Sequence, residues 1–103
     1  MSTFDEYKAE LDMFLREFGN NVRGLRLTRA EPVSQERLAE RTRLHRTEIG
    51  KIEQGAVEPR LTTLFILADA LGVTIDDLLE GLRAPVERKP SPQGRFKDSS
   101  RWS

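Results

Sequence analysis

Apolar residues in the first quarter of the chain fall at Phe4, Tyr7, Leu11, Phe14, Phe18, Val22 and Leu25. Steps of three and four residues lay them along one stripe of a helix, in a near-heptad rhythm. Ser2 or Thr3 can cap this segment, and Asp5 and Glu6 stand in its first turn, where the helix dipole favours negative charge. Gly19-Asn20-Asn21 are poor helix formers in the middle of the stripe. One helix with a weak point and two helices meeting there both fit, and the pattern is read as two. The first is an N-terminal extension over residues 1–17; the second opens a bundle at residue 18.

Glu31-Pro32-Val33 interrupts the periodicity. Ser34 is a helix N-cap, although Arg37 stands where a capping box would carry Glu. A short helix follows through Leu38, Ala39 and Arg41, then a tight turn at Thr42-Arg43-Leu44. A third helix covers residues 45–53, with Ile49 and Ile52 inward, and Gly55 supplies its left-handed end. After the loop at residues 57–60, residues 61–71 form a fourth helix. Leu61, Leu64, Phe65, Leu67, Ala68 and Leu71 lie on or near one face of it. Gly72 stops it. Thr74 caps a fifth helix running to about residue 82, with Asp76 and Asp77 in its first turn. Past Arg83, Pro85, Pro90, Pro92 and Gly94 occur without periodicity, so residues 83–103 read as a basic disordered tail. No stretch alternates in the manner of a strand. The expected class is all-α, with residues 18–82 as the folded domain.

The chain has 103 residues, about one domain, and a net charge of zero that hides segregation. Residues 1–17 carry −3, residues 18–60 carry +3, residues 61–82 carry −4 and residues 83–103 carry +4. Thirteen of the 17 basic residues are Arg, the side chain suited to bidentate contacts with phosphate and guanine. Without cysteine, thiolate metal sites and Cys nucleophiles are excluded, and a single histidine, His45, makes a His-based zinc site unattractive. No apolar run is long enough to span a membrane, and the acidic N-terminus is unlike a signal peptide. No Gly-rich phosphate loop, carboxylate pair or Ser-His-Asp arrangement stands out. The expectation is a non-enzyme without metal or cofactor, in a cytoplasmic setting.

Two short helices joined by a three- or four-residue turn and flanked by packing helices have the layout of a helix-turn-helix. Ser34-Gln35-Glu36-x-Leu38-Ala39-Glu40 followed by Leu44-x-x-x-x-Ile49-x-x-Ile52-Glu53-x-Gly55 closely resembles the XRE family, the helix-turn-helix group of lambdoid phage repressors and Cro. Phe18-Gly19-x-x-Val22-Arg23-x-Leu25-Arg26, Pro59-x-Leu61-x-x-Leu64-x-x-Leu67-Ala68 and Asp76-x-Leu78-Leu79 stand in register with the rest of that domain. The resemblance covers residues 18–82. It implies a five-helix lambda-repressor-like bundle, here with an extra N-terminal helix and the tail. The string Leu44-His45-Arg46-Thr47-x-Ile49 also resembles recognition helices of restriction–modification controllers and small actinobacterial regulators.

Independently of the family, Leu38, Leu44, Ile49 and Ile52 are suited to fill the angle between the two short helices, and Ala39 is small where they cross. Glu53 is expected to pair with Arg23 or Arg26 inside the domain. The resemblance implies that the third helix enters the major groove, with Arg46, Thr47 and Lys51 at base-reading positions and Glu48 nearby. Arg46 would read guanine, Thr47 a thymine methyl and Glu48 a cytosine amino group. The blander reading is a solvated polar face. Gln35 matches the family's phosphate-gripping glutamine. Arg43, Gln54 and Arg60 flank it as backbone contacts, with the minor groove an alternative for Arg60. His45 replaces the usual Ser or Thr cap; it is either a phosphate contact or a cap alone.

The resemblance thus implies a double-stranded DNA-binding transcriptional regulator, repressor-like, recognising a palindromic operator as a homodimer. Phe4, Tyr7, Leu11 and Phe14 are the expected dimer contact, the bland alternative being a helix that caps its own domain. The competing function is a protein-interaction module, such as an antitoxin or a polymerase-binding adaptor, which would use the acidic N-terminal helix or the basic tail.

Overall fold

The computed structural model describes residues 3–85, and these form α1 (Thr3–Leu27), α2 (Gln35–Thr42), α3 (Arg46–Glu53), α4 (Leu61–Leu71) and α5 (Ile75–Leu78), with no strand among them. The cap assigned to Ser2 or Thr3 and the tail beyond Pro85 fall outside the described residues and side chains. The all-α bundle expected from the pattern is present.

Residues 3–27 form one uninterrupted helix, which corrects the preference for two. The reason lies outside the local sequence. A Cβ at Gly19 would stand 2.4 Å from the carbonyl oxygen of Glu53 and 2.5 Å from that of Ile52. Only glycine allows α1 to lie so close to the end of α3, and that contact outweighs its poor helix propensity. Asn21 is likewise engaged: its Nδ2 donates to the carbonyl oxygens of Leu78, at 2.9 Å, and Glu80, at 3.0 Å. The apparent breakers are the points at which α1 is fastened to the bundle.

The second half of α1 packs into the core formed by Phe18, Val22, Val33, Leu38, Ile49, Ile52, Leu67, Ala68, Leu71 and Leu78. α1 touches α3, α4 and α5, while α2 lies across α3 and α4. α2 opens on Ser34, whose hydroxyl accepts from the Arg37 N–H at 3.0 Å. Gly55 closes the α3 end with φ of 74°. It lies against α1, where a Cβ would approach the Arg16 backbone nitrogen to 2.8 Å.

α4 has the expected bounds, but its apolar circumference is wider than the single side the domain covers. Leu67, Ala68 and Leu71 are buried, whereas Leu61 is 70% exposed and Phe65 57% exposed, contrary to their expected inward placement. α5 is shorter than expected. Thr74 and Asp77 form a complete capping box, but after Leu78 the chain tightens into turns, and Gly81 takes φ of 78°. Asn21 takes up carbonyls from this final turn, so regular helix need not continue there.

Candidate nucleic-acid interface

The relative position of α2 and α3 is set by the three-residue turn and by a buried ion pair. Thr42 Oγ1 donates to the Leu38 carbonyl at 2.8 Å and accepts from the Leu44 N–H at 3.2 Å, so one side chain stitches the end of α2 to the turn. Arg43 follows in the left-handed region, with φ of 62°.

Behind the turn, Arg26 of α1 meets Glu53 at the end of α3. Its Nε and Nη2 donate to the two carboxylate oxygens at 2.7 and 2.9 Å, and its Nη1 donates to the Val33 carbonyl at 2.9 Å. Of the two expected partners for Glu53, Arg26 is the one found. Both side chains are buried, and the hydrogen bond to Glu53 raises the Arg26 pKa further, against the opposing effect of burial. Removing one member of such a pair strands the other, at a cost of about 3–5 kcal/mol. Gln35 Nε2 donates to the same carboxylate at 3.1 Å. One carboxylate therefore ties together α1, the start of α2 and the end of α3.

On the outer surface, Arg46, Thr47 and Lys51 of α3 are exposed and Glu48 is half-buried. His45 occupies the N-cap without a side-chain cap bond. His45, Thr47, Glu48 and Lys51 share a shallow groove with Arg60, which caps the start of α4 by its backbone alone. Arg43 and Gln54 are exposed at the ends of α2 and α3, outside that groove. The half-buried Gln35 lies on the inner side, with its amide nitrogen engaged by Glu53.

Sequence reasoning did not single out Glu36. Its Oε1 accepts from Arg46 Nε at 2.5 Å, linking the first turn of α2 to the first residue of α3. The Glu36 carboxyl is held below its ordinary pKa. The main cause is its own backbone N–H at the start of α2; the Arg46 guanidinium comes next, with a smaller contribution from the Ser34 hydroxyl. Its position one residue after Gln35 was visible, but its partner stands ten residues away across the turn.

Residues 33–78 match the family described as Helix-turn-helix. The chain is 43% identical over 63 residues to the control protein C.BamHI of Bacillus amyloliquefaciens, covering 61% of this chain and 76% of that one. The chain belongs to the XRE family of helix-turn-helix regulators. The control protein C.SmaI of Serratia marcescens is 45% identical over 65 residues, covering 61% of this chain and 75% of its own. Among solved structures, the restriction-modification controller protein C.AhdI from Aeromonas hydrophila superposes with a TM-score of 0.58 and 34% identity. That match covers 62% of this XRE chain and 94% of C.AhdI. The likeness of the recognition segment to restriction–modification controllers agrees with these relatives. Members of the XRE family are DNA-binding transcriptional regulators, and that description applies to this chain.

Proposed function

We propose that the protein is a homodimeric transcriptional regulator that places α3 in the major groove of a two-fold-symmetric operator. The observation that carries this reading is the exposed row Arg46, Thr47 and Lys51 on a helix whose opposite side, Ile49 and Ile52, is fully buried. Such a helix is fixed from behind and polar in front, as base reading requires. Arg46 reads guanine through O6 and N7, Thr47 meets a thymine methyl, and Glu48 accepts from a cytosine amino group. Lys51 completes the row. His45, Arg43, Gln54, Arg60 and the start of α2 at Gln35 hold the phosphate backbone.

One recognition helix reads few base pairs, and two-fold symmetry doubles the reading. The dimer contact is assigned to the outer stripe of α1, where Phe4 and Tyr7 are exposed and Leu11 and Phe14 are half-buried. An exposed apolar stripe at helical spacing is suited to a second helix.

Selection from a randomised duplex library defines the operator. Arg46→Ala then costs about 1–3 kcal/mol there and relaxes one base-pair position in each half-site. Gln35→Ala weakens all sequences more evenly. Equal binding of every operator variant by Arg46→Ala and by the parent would refute the docking register. Sedimentation of a chain lacking residues 1–11 tests the dimer contact; the cut lies upstream of the buried Leu15. A truncated chain that stays dimeric moves the interface to another apolar surface, such as the exposed Leu61 and Phe65 of α4.

A further inference from the structure

We propose that Glu36 is a positioning residue for Arg46: its carboxylate holds the Nε side of the guanidinium so that the two terminal nitrogens face a base edge end-on. The proposal rests on the reading of Arg46 as the guanine-reading residue and adds a determinant of its specificity.

The geometry is that of a buttress. Glu36 Oε1 meets Arg46 only at Nε. An arginine offers its donors in a fixed planar fork, and a bidentate contact to guanine needs two parallel N–H groups. With Nε occupied, the pair of terminal nitrogens remains, and among the described residues neither makes a hydrogen bond. The Arg46 side chain is 61% exposed, so that edge is open to solvent and to a ligand.

The buttress is itself fixed. Glu36 stands in the first turn of α2, two residues after the Ser34 cap and next to Gln35. Ser34 caps α2, and the neighbouring Gln35 is bound to the buried Glu53. A chain of contacts thus runs from the Arg26–Glu53 pair to the tip of the recognition helix.

An ion pair this exposed contributes little to folding stability. It does restrict a long side chain before DNA arrives, and side-chain ordering is one of the costs of binding. A carboxylate at a phosphate-facing surface also repels the DNA backbone, which weakens contacts that carry no sequence information. The arrangement favours discrimination over raw affinity.

The test uses the full chain and a randomised double-stranded DNA library, with Glu36→Gln, Arg46→Ala and the double variant. Melting temperatures check that each variant folds. For Glu36→Gln we expect discrimination at the base pair read by Arg46 to fall about 5- to 10-fold. Affinity for non-operator DNA rises and its salt dependence steepens, because one negative charge is gone. In the Arg46→Ala background, Glu36→Gln causes no further loss at that position. If Arg46→Ala relaxes that position but Glu36→Gln leaves it unchanged, the positioning role is refuted while the reading of Arg46 stands. The same conclusion follows if Glu36→Gln relaxes that position further in the Arg46→Ala background. If Arg46→Ala itself leaves every position unchanged, both readings fall.

Discussion

The two halves of α1 carry the same apolar rhythm and meet opposite fates. From Phe18 onward its apolar stripe is sealed: Phe18 is 2% exposed and Val22 is fully buried. Upstream, Phe4 is 72% exposed, Tyr7 44% and Met13 58%, and among the described side chains there only Leu15 is buried. Glu10, Met13, Phe14 and Glu17 border an open groove beside Gly81 and Arg83. Periodicity therefore specifies a helix and its apolar side, but not whether the chain supplies the surface that covers that side. In the second half the cover is α3, α4 and α5, held at close range by Gly19 and Asn21.

The contrast can be broken most sharply by matched phenylalanine substitutions. Phe18→Ala should cost about 3–5 kcal/mol in urea unfolding of the monomer. Phe4→Ala should stay within about 0.5 kcal/mol under the same conditions, as expected for an exposed site. Equal losses would mean that the first half of α1 is as well covered as the second.

Two glycines of α1 sharpen the comparison next. Gly19→Ala drives a methyl into the carbonyls of Ile52 and Glu53 and should destabilise by about 1–3 kcal/mol. Gly24→Ala meets nothing within 4 Å and should stabilise by about 0.5–1 kcal/mol through helix propensity. Thermal melts of both variants give the signs directly. Asn21→Ala removes the donor shared by two carbonyls near the end of α5. It should cost about 1 kcal/mol and speed hydrogen exchange around residues 78–82.

The smallest expected effect is the acid titration of Glu36. Its folded pKa lies below the ordinary carboxylate value. Its contribution to stability is therefore complete above that ordinary value and is lost as pH falls through the depressed one. The stability difference between the parent and Glu36→Gln should be small at neutral pH and vanish in acid, as followed by melting temperature across that range. A difference that persists in acid would show that the ion pair is not its source.

What was legible in the sequence follows the range of the interaction responsible. Ser34, Gly55, Gly72 and Thr74 act within a turn of themselves, and the helix ends they mark lie where the pattern placed them. The buried pairing of Glu53 with Arg26 was narrowed to two arginines, because one face of a known helix had to meet the first. Gly19 and Asn21 misled because their reasons lie on α3 and near the end of α5, as much as 59 residues away along the chain. Leu61 and Phe65 misled because apolar composition alone does not reveal how much of α4 the bundle covers. At the candidate interface, the exposure of Arg46, Thr47 and Lys51 on α3 could be placed from helical spacing and family register. The grip of Glu36 on Arg46 could not, since it depends on the angle at which α2 and α3 cross.

That crossing turn carries a local conflict. Arg43 adopts φ of 62°, a conformation in which a side chain beyond glycine costs roughly 1–2 kcal/mol. Its side chain is exposed, so core packing does not require an arginine there. A glycine would relax the joint, while the Thr42 hydrogen bonds that shape it remain in place. The backbone of this turn is thus frustrated, and the domain is less stable than its fold permits at the turn that sets α3 against α2. Arg43→Gly should accordingly raise the melting temperature, and any loss of DNA affinity that accompanies the rise measures what the strained arginine contributes.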